Sequence, residues 1–585
     1  PLVDPEHLKA HLGLLGAFKE LRQRVESCSD DYLPQIAQFL DGPQRWAWFV
    51  GLAVERFHRW VKHVKHTELA TWVMEEVPPL DVLMIWHAYM LNPIWYAEDC
   101  DRIPVLATLR SLDSSFIPAV ILMDDLTLYE PCEERMLSWF EQTDTPFDPL
   151  SSMSCLLYRA VRCPRCGRMN DVPFLDNEGL GYSQRGFRYA CVCGIFITKT
   201  ALAMDKFAGD VVSHHRPIHI EPDKCLAGTL HTRDNSRDWN RAVAIKTKLI
   251  GDPGSVFRPA HKVNPQFLVF VSDDDIQRGH AQRVENARLG RVLNAYTDDR
   301  PFSVDLAAAV LRQGKFIEEM DNLGWLAQGY FDCKQNEILL AHALARYHAF
   351  LDMLSSASTS YFVPTLDIDL VWHTHQLKGD GYMKDSKEFV GWYVDHDDRV
   401  EEINLAQGLD ETCRVWQASR ILHTAERYGL PYMHCGCPLP DETMSSKLHQ
   451  FTRRLGSSKD NGALQPPPLP SATEATHASE HNAVRAAPRK IHPSYAAANG
   501  PRELRALELR RRRERDGRRV LEGKMDEELY RRGQAHISTY LMPLPFAQAG
   551  PGPTERYAAP CVVTFPGAYG TTGVGTCIVG INRHL

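Results

Sequence analysis

Along the 585-residue chain, apolar positions recur mostly at helical spacing, so the elements they predict are nearly all helices. Residues 5–28 (PEHLKAHLGLLGAFKELRQRVESC) place apolar side chains three and four apart and read as an amphipathic helix. A second helix follows Gly42-Pro43. Residues 80–91 (LDVLMIWHAYML) are apolar nearly all round and are stopped by Asn92-Pro93. A helix without a polar face is a buried one, so this stretch is expected at the centre of a core, with Asp81 favouring its positive N-terminal end. Residues 337–354 (EILLAHALARYHAFLDML) form a further strong helix.

The 80–91 phrase occurs again at 366–377 (LDIDLVWHTHQL). In both copies a proline precedes the first leucine by two residues (Pro78, Pro364), and a tyrosine follows the last leucine by five (Tyr96, Tyr382). An upstream segment repeats as well: Arg56, Phe57, His58 and Trp60 match Arg346, Tyr347, His348 and Phe350. The two alignments differ by four residues in the connecting loop, as an insertion in a surface turn would. The repeating unit is therefore a pair of helices. Residues common to both copies, namely Arg346, Asp367, Trp372, His373, Leu377 and Tyr382, are expected to serve packing, and the pairs Arg346–Asp367 and Arg56–Asp81 are expected between the two helices of each copy. His87 is expected to be a hydrogen-bonded core histidine.

The differences between the copies carry the chemistry. Leu83, Ala88, Tyr89 and Met90 become Asp369, Thr374, His375 and Gln376. Burying such groups costs on the order of a few kcal/mol each without partners, so the cluster lines a cavity, binds an ion or ligand, or satisfies itself internally. Asp369 and His373 lie four apart on one helical face, so the carboxylate can orient the imidazole. His375 points about 200° away from His373, and both serve one ion only if the helix opens or the segment is extended. Gly379 and Gly381 loosen the end of this helix. Candidate catalytic residues are thus His373, His375, Asp369 and, from the DHDD run at 395–398, Asp398; His348, Gln376 and His396 are candidate cofactor ligands. His396-Asp397-Asp398 has the form of the local half of a two-His-one-carboxylate iron site. The YMHCGCP run at 432–438 reads either as sulfur ligands or as a turn with buried thiols.

Of the fifteen cysteines most are scattered singly, and four gather in Cys163-Pro164-Arg165-Cys166-Gly167 and Cys191-Val192-Cys193-Gly194. That is a pattern of reduced thiols plus one metal site, not of a secreted disulfide framework. The two pairs resemble a zinc ribbon, in which two turns present Cys163, Cys166, Cys191 and Cys193 to a tetrahedral zinc and each following glycine lets the backbone turn its amides toward sulfur. Four thiolates leave no open position, so this zinc is expected to be structural. The histidines among Pro, Asp and Gly at 206–300 (His214, His215, His219, His231) read as surface-loop residues.

A net charge of −8 excludes a polyanion-binding protein by overall charge, so any basic site is local. One such site is 502–519, with nine arginines and interspersed acids, which reads as a charged solvated helix or as a contact for nucleic acid or nuclear import. Its arginines have no interleaved aromatics for stacking on bases. Residues 456–500, rich in Gly, Ser, Pro and Ala, read as a linker or a loosely attached loop, and the glycine-rich end at 567–580 as irregular backbone. No run approaches the roughly 18 consecutive apolar residues of a membrane span, and the first residues lack the charged start and apolar core of a signal peptide, so an intracellular location, cytoplasmic or nuclear, is expected.

Residues 364–377 (PTLDIDLVWHTHQL), 395–398 (DHDD), 432–440 (YMHCGCPLP) and 78–93 (PPLDVLMIWHAYMLNP) together resemble the glycine-rich domain-containing protein-like family of plants and fungi, the fungal branch more closely, over most of residues 40–440. Plant members are associated with growth and stress responses, and some fungal relatives carry the name of 2-oxoglutarate-dependent sulfonate dioxygenases. Those dioxygenases use a strand-rich jelly roll, whereas the candidate histidines here fall in helical patterns, so the resemblance implies a fold neighbourhood without a reaction.

The expected architecture is mainly α: a helical half at 1–150, a zinc-ribbon insertion at 151–205, a connecting region at 206–300, a second helical half at 301–455, a linker at 456–500 and a basic, partly irregular tail at 501–585. The expected function is an intracellular metal-binding regulatory or interaction protein, with structural zinc, a polar ligand pocket on the WHTH helix, and a protein or small molecule as partner. The alternative is a mononuclear oxygenase binding a second metal such as iron through His373, His375 and a carboxylate. A third reading is nucleic-acid binding through the ribbon and 502–519.

Overall fold

In the computed structural model the apolar stretches fold as helices around one shared core. The structure describes residues 2–123, 126, 129, 131–212, 225–232, 237–251, 291–356, 361–396, 402–418, 431–435, 464–479, 482–484 and 518–524. In chain order the helices are α1 Pro5–Glu26, α2 Gly42–Trp60, α3 Leu69–Glu75, α4 Leu80–Met90, α5 Pro93–Arg102, α6 Ala107–Leu112, α7 Phe116–Met123, α8 Glu133–Thr143 and α9 Ser151–Cys155. Two hairpins follow, β1 Tyr158–Arg162 with β2 Met169–Pro173, and β3 Tyr189–Ala190 with β4 Phe196–Ile197. Then come α10 Lys199–Val212, α11 Trp239–Gly251, α12 Leu306–Asn322, α13 Lys334–Ser356, α14 Leu366–Gln376, α15 Asp380–Phe389, α16 Glu402–Ala418 and α17 Pro470–Glu474.

The phrase at 80–91 is α4, buried from Asp81 to Met90, and its second copy is α14, buried throughout. α1 lies between them. Its buried residues, among them Leu8, His11, Leu12, Leu14, Leu15 and Phe18, cover more than one stripe, and it packs on α2, α4 and α12 as well as on α13 and α14. A helix with two apolar sides can be shared by two neighbours, and this one joins them into a single core.

Each Trp-His helix is fixed by one buried guanidinium. Arg56 on α2 pairs with Asp81 at 2.7 Å, donates to the carbonyls of Pro146 and Phe147, and lies 5.3 Å over the Trp139 ring. Arg346 on α13 donates to Asp367 at 2.7 Å and to the Tyr432 carbonyl at 2.8 Å, and lies 5.3 Å over Trp416. Behind each stands an indole–phenol contact. Trp86 donates to Tyr96 at 3.1 Å, and Trp372 donates to Tyr382 at 2.8 Å. The side chains that make these contacts are buried, so each partner answers a group that would otherwise carry the cost of lost hydration.

The β hairpins dock on this helical body. Along β1 exposed and buried residues alternate, turning Arg159 and Val161 inward. Arg159 reaches Glu55 of α2 at 2.9 Å and Asp299 at 2.8 Å. Burial alone would push the Glu55 carboxyl up, but the Arg159 and Arg300 guanidiniums outweigh it and hold it at about 2.

Two expectations change, and one stretch tests a third. The 456–500 stretch is not simply a linker: within it Ala475, Thr476, Ala478, Ser479, Asn482, Ala483 and Val484 are at most 2% exposed. Val484 and Phe362 exchange backbone hydrogen bonds of 2.7 and 2.8 Å, and the carbonyls of His477 and Ala475 accept from Leu366 and Asp367. Those two amides belong to the first turn of α14, which lacks intrahelical partners and here takes them from this segment. His231 is not a surface residue; it is fully buried with Asp101 at 2.7 Å. The stretch Pro104–Met123 is apolar enough to span a membrane by composition, with mean hydropathy 1.5, but it is divided among α6, α7 and 3-10 turns, and α7 packs on α1. His214, His215, His219, residues 502–517 and the glycine-rich end lie outside the described residues.

Asp367→Ala would strand the Arg346 guanidinium in the core, where removing one partner of a buried ion pair costs about 3–5 kcal/mol. The urea midpoint of the variant is expected to fall accordingly, and Asp81→Ala to behave alike. Midpoints equal to wild type in both would show that these pairs do not hold the helices.

Candidate metal centres

The four predicted cysteines converge. Cys163 Sγ lies 3.6 Å from Cys193 Sγ, and Cys166 Sγ lies 3.7 Å from Cys191 Sγ, with all four sulfurs within 4.8 Å of one another. A disulfide needs ~2.05 Å, whereas a tetrahedral zinc with bonds of ~2.3 Å spaces its sulfurs ~3.8 Å apart. The local backbone explains the convergence. Each pair sits on a tight turn in which the first cysteine's carbonyl accepts from the following glycine, Gly167 to Cys163 and Gly194 to Cys191, both at 2.9 Å. Both glycines have left-handed φ, +72° and +87°, which disfavours any side chain there. The turns are carried by the two hairpins, β1–β2 and β3–β4.

The second cluster is on α14. Asp369, His373 and His396 are buried and offer ligand atoms within 4.8 Å of one another. The Nε2 atoms of His373 and His396 are 3.0 Å apart, and His373 Nε2 is 3.3 Å from Asp369 Oδ1. Burial pushes the Asp369 carboxyl up to about 7, against hydrogen bonds from Ser479 and Asn482. The rings of Phe316 and Trp372 close over the imidazoles, at 4.6 Å from His373 and 5.2 Å from His396.

The other predicted residues do not join it. α14 stays helical to Gln376, so His375 points away from His373, its nitrogens at 2.8 Å from the Tyr347 hydroxyl and 3.0 Å from Asp385. Burial lowers its pKa to about 4, opposed by Asp385. A shared ion at His373 and His375 is therefore excluded by helix geometry. His348 is exposed on α13. Gln376 lines a crevice with Tyr96, Arg110, Asp113 and Tyr393 that has no room for a water-sized group. Asp398 lies outside the described residues. A cleft of about 270 Å³ opens beside α4, between Phe18, Trp46, Met84, His87 and Gln313, and its lining does not include Asp369, His373 or His396.

Two residues of this cluster had no signal in the sequence. Ser479 donates to Asp369 Oδ2 at 2.6 Å, and Asn482 Nδ2 lies 2.8 and 3.0 Å from the two Asp369 oxygens. His11 of α1 is a third residue without a signal, and it serves the first copy: its Nε2 is 2.9 Å from His87 Nε2, and its Nδ1 is 2.8 Å from the Thr374 hydroxyl on α14. The first copy thus places a second imidazole against His87, as expected of a hydrogen-bonded core histidine.

Residues 278–385 match the family model described as glycine-rich domain-containing protein-like. The span includes Arg346, Asp367 and all of α14, and stops before His396 and Asn482. Glycine-rich domain-containing protein 2 of Arabidopsis thaliana is 32% identical over 140 residues, and glycine-rich domain-containing protein 1 of the same plant is 30% identical over 140. Each alignment covers 23% of this chain, and the chain spans only 16% and 15% of those relatives' own lengths. No solved structure matches.

Burial holds the His11 and His87 imidazoles well below the usual value, His87 at about 3. On acidification the unfolded chain takes up protons at these positions near pH ~6.5 while the folded chain does not. Their contribution to stability is complete above that pH and is lost on going down from it, by about 1.4 kcal/mol per pH unit per histidine. Urea midpoints at pH 7.5 and 5.5 are expected to show this fall, and a His11→Leu, His87→Phe double variant to show a shallower one. An unchanged profile in the double variant would contradict the assignment.

Proposed function

We propose that this chain, whose residues 278–385 match the glycine-rich domain-containing protein-like family model, is a metal-binding interaction protein. Its four-cysteine module holds structural zinc and its function is recognition, not turnover. The observation that carries the reading is the set of sulfur separations at the two turns, 3.6 and 3.7 Å, which suit a tetrahedral ion and no disulfide. Four thiolates complete zinc's coordination and leave no position for a substrate. Reduced thiols of this kind suit the interior of a cell.

The rest of the reading concerns the scaffold. The matching surroundings of Arg56 and Arg346 support an internal duplication of helix pairs, with the ribbon inserted between the halves. On the outer side of the ribbon Tyr158, Met169, Val192 and Phe196 are at least half exposed, apolar groups that a protein partner would cover. The oxygenase alternative has less support, because its two adjacent histidines diverge and the described clefts do not open on Asp369, His373 or His396.

Elemental analysis of the purified chain is expected to find a tightly held zinc equivalent that is lost in Cys163→Ser and in Cys191→Ser. Zinc content unchanged in both variants would remove the ribbon assignment.

A further inference from the structure

The cluster at Asp369 stands apart from the four cysteines in sequence and in chemistry. Its donors are two imidazoles and one carboxylate, a set that suits first-row divalent transition ions. Metal–ligand bonds of ~2.1 Å separate neighbouring donors by ~3.0 Å at a right angle and by ~3.4 Å at a tetrahedral one. The observed separations, 3.0 Å between the imidazole nitrogens and 3.3 Å from imidazole to carboxylate, fall in that interval.

Asn482 shows where these donors aim. Its Nδ2 lies 2.8 Å from His396 Nε2, 3.2 Å from His373 Nε2, and 2.8 and 3.0 Å from the Asp369 oxygens. One amide nitrogen has two hydrogens, yet four acceptor-capable atoms surround it. The oxygen and nitrogen of an amide are interchangeable by a half-turn of the side chain. With Oδ1 facing inward, Asn482 places a fourth donor atom at the point where the two imidazole nitrogens and the carboxylate converge. Ser479, donating to Asp369 Oδ2 at 2.6 Å, supplies the outer hydrogen bond that orients a ligating carboxylate.

The first copy serves as an internal comparison. There His87 meets His11 at 2.9 Å, but Leu83 stands where the second copy has Asp369. An imidazole pair alone is satisfied by a hydrogen bond. Only the second copy adds a carboxylate and an amide to the same point.

We propose that Asp369, His373, His396 and Asn482 form a second metal site, binding a divalent first-row transition ion that pins His396 and Asn482 to α14. The assignment uses none of the ribbon cysteines, so the two fail separately.

Cobalt(II) is the probe, added to the full chain after chelator treatment. Two equivalents are expected. One shows near-ultraviolet thiolate-to-metal charge transfer, and the other shows only visible ligand-field bands of nitrogen and oxygen donors. Asp369→Asn and His396→Ala are each expected to lose the second equivalent and keep the thiolate band, while Cys163→Ser loses the thiolate band and keeps the second. Because wild-type stoichiometry is itself decisive, a variant that fails to fold does not block the test. Saturation at the thiolate equivalent alone, in wild-type protein whose circular dichroism shows the helices intact, overturns the proposal. So does a second equivalent that persists in folded Asp369→Asn and His396→Ala.

Discussion

The structure depends on two guanidinium groups that have no contact with water. Arg56 and Arg346 are each 0% exposed, and a buried cation is tolerated only where charge and hydrogen bonds answer it. In both cases the answer comes from three places in the chain: the aspartate that begins the neighbouring helix, a downstream carbonyl, and an indole face. Satisfying one arginine therefore fixes a pair of helices and a returning segment together. That is why the unit is larger than the helix pair legible in the sequence, extending to Trp139 on α8 and Trp416 on α16.

The same position on the two central helices shows how a core histidine can be put to different uses. His87 and His373 both meet a second imidazole through Nε2. In the first copy the partner is His11, whose other nitrogen bonds Thr374, so α4 and α14 are linked across α1. In the second copy the partner is His396, and Asp369 and Asn482 gather at the same point. Replacing Leu83 by Asp369 changes an apolar contact into a carboxylate that needs several donors, and the chain supplies them from residues more than a hundred positions away.

Helical periodicity, the duplicated phrase, the Arg–Asp pairings and the cysteine knuckles were legible because each is a local pattern. The divergence of His373 and His375 was legible too, from the 100° step of a helix. The segment at 475–484 was not. Its small residues pass close to the first turn of α14, where the carbonyls of His477 and Ala475 accept from Leu366 and Asp367. Small residues at close approach have the same composition as a linker, and no periodicity separates the two. Asn482 was hidden for the same reason, as was His11, whose role depends on a partner 76 residues away.

Both clusters draw their members from separate stretches of chain, the sulfurs from two turns 25 and 30 residues apart and the Asp369 group from residues up to 113 apart. An ion bound at such a junction acts on folding, because it closes loops whose ends the unfolded chain holds apart. The cysteine-bearing hairpins illustrate the need: one of five-residue strands and another of two-residue strands have little core of their own, and Arg159 of β1 ties the first to Glu55. For the Asp369 group the tie runs from α14 to a segment that itself completes that helix's first turn. Loosening the cluster would therefore free those amides as well, so stability of α14 and occupancy of its polar cluster are expected to change together.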